Sequence, residues 1–315
     1  MITIAVMAPF GTAEAVVADP MFAAVGSEAE QSVALRDIEL RILRIDDRRT
    51  PDRAIDAFMA LIEDPTLVGV IGPKNSGTAL AVAPLAASRS IPLLLPCATA
   101  DDLCTYETVW RMCATDTQTA TAAIGLAIEL DTRRLLILAD DTSYGRNLTA
   151  KISQRADTHY IINTVTDAAD EDEIKSYDTV FLAMGEVEQA QQLRWLRRAG
   201  FPGHTIGAEG GPNAPLPDLT GAAAEGHWLL YAGAPVLDGT VYAAEAADAA
   251  TALVQAAIAL PDPTDRLARL DSIRTTHFQG RSGEVRFLPN GERHNSCVSI
   301  YRVRNGRSTP EAHRK

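Results

Sequence analysis

The sequence predicts an α/β protein built from two doubly wound lobes, each a parallel sheet covered by helices on both faces. Short β-branched or Leu-rich runs alternate with amphipathic helical stretches along most of the chain. The apolar runs are continuous rather than alternating, which marks strands buried on both faces. The alternating series also runs twice in succession. That favours two open sheets over one closed barrel, although strand-helix alternation alone fits either.

The first series opens with the strand ITIAVMAP and a helix near Met21 to Leu35. IELRILRID follows as a strand, then a helix near Pro51 to Ile62, the strand LVGVIGP, a helix near Gly77 to Ser88, and IPLLLP. Helices of about 10–15 residues between such strands are the pattern of βαβ units. After VWRM the second series begins with a helix near Asp116 to Leu130 and the strand RRLLILADD. It continues through a helix near Tyr144 to Ala156, HYIINTVTD, a loop or short helix through Asp170 to Lys175, and DTVFLAM. A helix near Glu186 to Ala199, HTIGAEG and HWLLYAGAP complete it. A long Ala-rich helix near Thr240 to Leu260 comes next, and residues alternating around a PNG turn indicate antiparallel strands at the end.

The chain has 315 residues, 46% of them hydrophobic and 22% charged, enough to bury a core in two domains. No apolar run is long enough to span a bilayer, so membrane insertion is not expected. A formal net charge of -12 argues against a nucleic-acid surface, which needs clustered cations. Basic residues gather at Arg194, Arg197 and Arg198, and again from Arg302 to Lys315; both groups read as solvated faces or a tail. Cys97, Cys104, Cys113 and Cys297 form no CxxC pair and have no His at metal spacing, so neither a zinc site nor another metal cofactor is expected. Cys104 and Cys113 flank a short segment and could pair in an oxidising compartment. MITIAVMAPF lacks the parts of a signal peptide. The expected place is periplasmic, or extracellular and lipid-anchored, if a leader is removed in nature, and cytoplasmic otherwise.

In an open parallel sheet, ligands collect beyond the carboxyl ends of the strands, where loops and helix N-termini converge. After LVGVIGP, Ser76, Gly77 and Thr78 open a helix; plain capping is the simple reading, and an anion held by Ser76 and nearby N–H groups is the functional one. After IPLLLP come Cys97, Ala98 and Thr99. Cys97 has no His in a recognisable pairing and reads as a small buried thiol, while Thr99 is a candidate hydroxyl donor beside Ser76. After RRLLILADD, Tyr144 leads Gly145 into a helix; after DTVFLAM, Gly185 allows close backbone approach, and Glu186 favours a helix N-terminus. In TIGAEGGPNAP, Glu209 is a carboxylate in a glycine-rich loop. It can be a surface residue, a general base, or the counter-charge to a cationic ligand. No GxSxG, GxxxxGK[ST] or HExxH occurs, and no GxGxxG follows the first strand, so no catalytic residue is assigned.

The order and spacing of VGVIGPKNSGTALAVAPLAASRSIPLLLPCATADDL, VWRMCATDTQTATA, RRLLILADDTSYGRNL, LRRAGFPGHTIGAEG and FQGRSGEVRFLPNG resemble a type I periplasmic binding protein. The branch resembled is that of the leucine/isoleucine/valine-binding proteins of ABC transporters. The resemblance implies two lobes joined by three crossovers, residues 1–115 plus 234–294 and residues 116–233 plus 295–315, closing on a ligand in the cleft between them. It places the ligand's carboxylate at Ser76 and Thr99, with backbone near Cys97 and Ala98 and at Gly77 or Thr78. It places the amino group at Tyr144 and Glu209, and it puts Met184 or Gly185 where the family often has an aromatic residue. APFGTAEAVVADPMF departs from the family in its glycine spacing and aromatic, and the Asn-Gly-Gly after the first helix is missing.

The expected function is therefore non-catalytic binding of a small amino-acid-like zwitterion, with no cofactor, feeding an ABC permease. The alternative is a cytoplasmic ligand sensor of the same fold that acts on a regulatory protein partner; the third reading is an enzyme on this fold.

Overall fold

The computed structural model describes residues 1–34, 36, 38–156, 161–165 (backbone), 170–211, 214–235 and 240–311. The chain opens with β1 (Ile2–Ala8), α1 (Ala15–Val33), β2 (Leu40–Asp46), α2 (Pro51–Leu61), β3 (Leu67–Ile71), α3 (Ser76–Arg89), β4 (Leu93–Leu95) and β5 (Val109–Arg111). Then follow α4 (Asp116–Glu129), β6 (Arg134–Ala139), α5 (Ser143–Arg155), β7 (Ile161–Val165), α6 (Glu171–Ile174), β8 (Thr179–Ala183), α7 (Glu186–Arg198), β9 (His204–Ala208), α8 (Leu216–Thr220) and β10 (Trp228–Tyr231). The last elements are α9 (Ala243–Ile258), α10 (Arg266–Arg274), β11 (His277–Gly280), β12 (Gly283–Arg286), β13 (Ser299–Arg304) and β14 (Arg307–Pro310).

These elements form two compact units, Met1–Ala114 with Tyr242–Ser296, and Thr115–Val241 with Cys297–Lys315. The chain therefore passes from one unit to the other three times. In the first unit the strands run in the order β2-β1-β3-β4-β5, all parallel. Every residue of β1 and β3 is buried, as continuous apolar strands covered on both faces must be. α2 starts with Pro51, whose missing N–H is harmless in the first turn, and buries Ala54, Phe58 and Leu61 at helical spacing. The Ala-rich α9 is buried nearly all round and packs on α1 and β3; its small side chains allow the close approach. β11 and β12 make a separate hairpin.

In the second unit the order is β14-β13-β10-β9-β8-β6-β7. β7 through β10 are parallel with β6, and β13 and β14 add two antiparallel strands at one edge. α4 starts with a capping box: Thr115 Oγ1 accepts from the Gln118 N–H at 3.1 Å, and Gln118 Oε1 accepts from the Thr115 N–H at 2.9 Å. α5 is capped likewise by Thr142, which accepts from the Gly145 N–H.

Four expectations need correction or bounding. α1 begins at Ala15, well before Met21, and carries Pro20 inside it; its expected end at Leu35 lies outside the described residues. Cys104 and Cys113 are free buried thiols, with no disulfide between them. The stretch from Arg302 is no loose tail, because it supplies β13 and β14, and the Arg302 guanidinium lies 4.7 Å from the centre of the Trp228 ring. Residues 312–315 lie outside the described residues, as do Pro212 and Asn213 of TIGAEGGPNAP and both ends of HYIINTVTD. Arg194 and Arg197 do not simply face solvent: they donate to the carbonyls of Leu219, Ala223 and Glu225.

Candidate functional site

In the first unit, β3 and β4 are neighbours, so the loops after them meet at one edge of the sheet. Ser76 is the first residue of α3 and is 4% exposed, yet it does not cap its own helix. Its Oγ accepts the N–H groups of Thr99 at 3.2 Å and Ala100 at 3.3 Å, tying the β4 loop to the helix start. A serine hydroxyl that accepts two bonds still has its own proton to donate. Thr99 is 3% exposed, and its Oγ1 has no hydrogen-bond partner among the described residues. Two hydroxyl donors on adjacent loops therefore lack acceptors, a combination suited to a carboxylate.

Thr78 differs from this pair. Its hydroxyl donates to the Asn75 carbonyl at 2.9 Å and is engaged within its own helix turn. Gly77 lies beside it in the first turn of α3, where the N–H groups lack helical partners. The buried Cys97 thiol donates to the Lys74 carbonyl at 3.5 Å, and Ala98 is fully buried. Cys97 has the contacts of a packed thiol, as its sequence setting suggested.

Sequence reasoning missed an ionic cluster on the same edge. Glu14, in the loop after β1, accepts from Lys74 at 2.9 Å, from Asn75 at 3.1 Å and from Arg49 at 2.9 Å. Both Glu14 and Lys74 are buried. Burial would raise the Glu14 carboxyl, but the Lys74 and Arg49 cations outweigh it and hold the group below its usual range. Asp47, next to the end of β2, is fully buried; its Oδ1 accepts from the Arg49 N–H at 2.9 Å and its Oδ2 is in hydrogen-bonding geometry with none of the described residues. Burial pushes its pKa up to about 6. Glu14 and Lys74 are 60 positions apart, so no local pattern could have paired them.

In the second unit, Tyr144, Met184 with Gly185, and Glu209 follow β6, β8 and β9, which are three adjacent parallel strands. Tyr144 is half-buried and its ring packs on the core of the unit. Met184 is buried, and Gly185 precedes the first turn of α7. Glu186 stands in that turn, where a carboxylate is favoured by the helix dipole. Glu209 is half-buried and adopts the left-handed conformation at φ 62°, which is strained for a residue with a Cβ. Gly210 follows because a Cβ there would fall 2.3 Å from the Leu229 side chain.

Gln189, also missed in the sequence, links these loops. Fully buried, its Nε2 donates to the Met184 carbonyl at 2.9 Å and to the Ala208 carbonyl. Its Oε1 lies over Gly207, where a Cβ would meet it at 2.0 Å and the His227 Nε2 at 2.8 Å. His227 is fully buried and its Nδ1 shares a hydrogen bond with Thr205 Oγ1 at 2.8 Å; burial drives its pKa down to about 3. Among the described residues no group of His, Cys, Asp and Glu is arranged to hold a metal ion, and no helix is long and apolar enough to cross a membrane.

Comparison with known proteins places this architecture. Residues 1–308 match the periplasmic binding protein family. The Leu/Ile/Val-binding protein of Escherichia coli K12 is 25% identical over 219 residues, which cover 63% of this chain and 59% of that protein. The alignment thus spans well under two thirds of the curated relative. The leucine binding protein LivK of Thermotoga maritima superposes with a TM-score of 0.83 at 22% identity, covering 99% of this chain and 98% of that one. A solute binding protein of R. palustris in complex with benzoate superposes with a TM-score of 0.84 at 15% identity, covering 98% and 95%. From its first strand through β13, this chain belongs to the periplasmic binding protein family, with the type I fold of two parallel-sheet lobes and the Leu/Ile/Val-binding proteins among its relatives.

Proposed function

We propose that this protein binds a small amino-acid-like zwitterion, without chemical turnover, as the substrate-binding component of an ABC importer. The observation that carries the reading is the pair of unengaged donors in the first unit, the Ser76 proton and the Thr99 Oγ1, on loops held in register by two N–H bonds. They receive the ligand's carboxylate, together with N–H groups at Gly77 and the start of α3. Thr78, with its hydroxyl turned to Asn75, contributes backbone only. In the second unit Glu209 takes the ammonium group, with Tyr144 beside it and Met184 and Gly185 shaping the wall. The two units close on the ligand, each holding one end of it. Family membership and the binding proteins among the relatives support a binding role and a periplasmic place.

Calorimetry of the whole chain against the common L-amino acids and against benzoate tests this. Benzoate carries the carboxylate and lacks the ammonium group, so it separates the two ends of the clamp. The expected result is binding of at least one amino acid, weakened about tenfold or more by Thr99→Ala and by Glu209→Ala. Benzoate affinity should be insensitive to Glu209→Ala. Failure of every amino acid to bind, or amino-acid affinity unchanged in Glu209→Ala, would sink the zwitterion clamp. The importer role is checked by whether the loaded protein stimulates ATP hydrolysis by an ABC permease in vesicles.

A further inference from the structure

In each unit a single buried planar side chain grips the loop that carries the candidate ligand groups from behind. In the first unit it is Arg111, at the end of the edge strand β5 and fully buried. Its Nη1 donates to the Ala98 carbonyl at 2.7 Å and its Nη2 to the Ala100 carbonyl at 2.6 Å. These are the two carbonyls on either side of Thr99. Glu292 holds the guanidinium in place, accepting from Nε at 2.9 Å and from Nη2 at 3.3 Å. The backbone around Thr99 is therefore gripped on two sides, with carbonyls bound by Arg111 and N–H groups bound by Ser76. A planar fork with fixed donor directions sets the orientation of both peptides at once, which a flexible ammonium does not.

In the second unit the side chain is Gln189, whose amide nitrogen holds the Met184 and Ala208 carbonyls. Met184 directly precedes Gly185, and Ala208 directly precedes Glu209, which sits in a strained left-handed conformation. Strain of this kind persists only when the surroundings over-determine it, and the Gln189 bond to the preceding carbonyl supplies that constraint.

We propose that Arg111 and Gln189 are positioning residues that aim Thr99 and Glu209 at the ligand without touching it. The aim has functional meaning only if the clamp proposed above is correct; the grip on the loops does not depend on it.

Hydrogen exchange on the ligand-free full chain tests the grip. Arg111→Lys keeps a cation beside Glu292 but can hold no more than one carbonyl in the original direction, and Glu292→Gln, a milder change, loosens the guanidinium while sparing the fold. Both should raise exchange across residues 97–103 by about tenfold or more and leave 67–71 of β3 unchanged. Gln189→Met should do the same at 184–186 and 208–211 and spare 134–139 of β6. Exchange that stays flat in those loops, or rises uniformly through the unit, overturns the proposal.

A double-mutant cycle of Arg111→Lys with Thr99→Ala, read as the Kd for L-leucine, separates the two ideas. Loss in the double variant no larger than in Thr99→Ala alone is expected, because Arg111 acts through Thr99. Fully additive losses overturn the role of Arg111. L-leucine binding that ignores Thr99→Ala counts against the clamp while the exchange result still decides the positioning, and without L-leucine binding the exchange result alone decides it.

Discussion

The two units place their candidate ligand groups in the same way, on loops after adjacent parallel strands, but secure them with opposite chemistry. The first unit uses ions: Arg111 with Glu292, and Lys74 and Arg49 with Glu14. The second uses neutral groups: the Gln189 amide, and the Thr205 hydroxyl paired with an uncharged His227. A buried ion requires a partner, and in the first unit the partner comes from far along the chain. Arg111 and Glu292 are 181 positions apart, and Glu292 arrives only on the segment that returns from the second unit. The carbonyls bound by Gln189 lie 5 and 19 positions from it. The first unit's grip thus depends on a charged partner from far along the chain, whereas the second's is made by one neutral side chain with no such partner among the described residues.

The largest expected effect tests this contrast directly. Arg111→Met leaves Glu292 and two buried carbonyls without their donor and should cost about 3–5 kcal/mol of stability, as breaking a buried pair does. Gln189→Leu removes neutral bonds and should cost about 1–3 kcal/mol. Urea titrations of both variants would break the comparison if the two losses came out equal or reversed.

A smaller effect concerns acid. The unfolded chain protonates His227 near the ordinary imidazole value of 6.5 and the native chain only near 3, so the unfolded state binds more protons between those values. His227 therefore favours the fold above pH 6.5, and that contribution is lost as pH falls through the window. His227→Gln should flatten this part of the curve of melting temperature against pH. An unchanged slope would mean that the imidazole is charged in the native unit.

The smallest effect has the opposite sign and belongs to the first unit. Asp47 keeps its proton up to about pH 6 in the fold and releases it at 3.8 when unfolded, so its burial penalty is complete above about pH 6 and gone below 3.8. Asp47→Asn should stabilise the protein on the order of 1 kcal/mol at pH 7.5, with the gain fading in acid. A destabilised variant at pH 7.5 would show that Asp47 has a charged partner. Acid thus acts in opposite directions on these two residues, one in each unit.

Much of the fold was legible because its signals are local. LVGVI reads as a strand buried on both faces, and Pro51 followed by Ala54, Phe58 and Leu61 reads as a helix with one apolar stripe. α1 was misplaced because Pro20 interrupts its apolar pattern, although the helix continues through it. The basic stretch from Arg302 reads as a solvated face or a tail because its charges mask a strand whose alternate residues, Tyr301 and Val303, are buried. The candidate site was legible to the same depth: Ser76, Thr99, Tyr144, Gly185 and Glu209 stand near strand ends, where Gly, Pro and short polar residues punctuate the apolar runs.

The chain of letters alone therefore settles the alternation of strands and helices, the division into two series, and which polar residues fall on the loops after the strands. Periodicity and turn chemistry act over a few residues, and a single sequence displays them directly. Only the folded molecule decides that Ser76 ties down the Thr99 loop rather than capping its helix, that Lys74 finds Glu14, and that Arg111 stands behind Thr99 with Glu292 behind it. Those pairings join positions 11 to 181 residues apart, and a buried polar group accepts whichever partner the packing brings within about 3 Å, whatever its place in the chain.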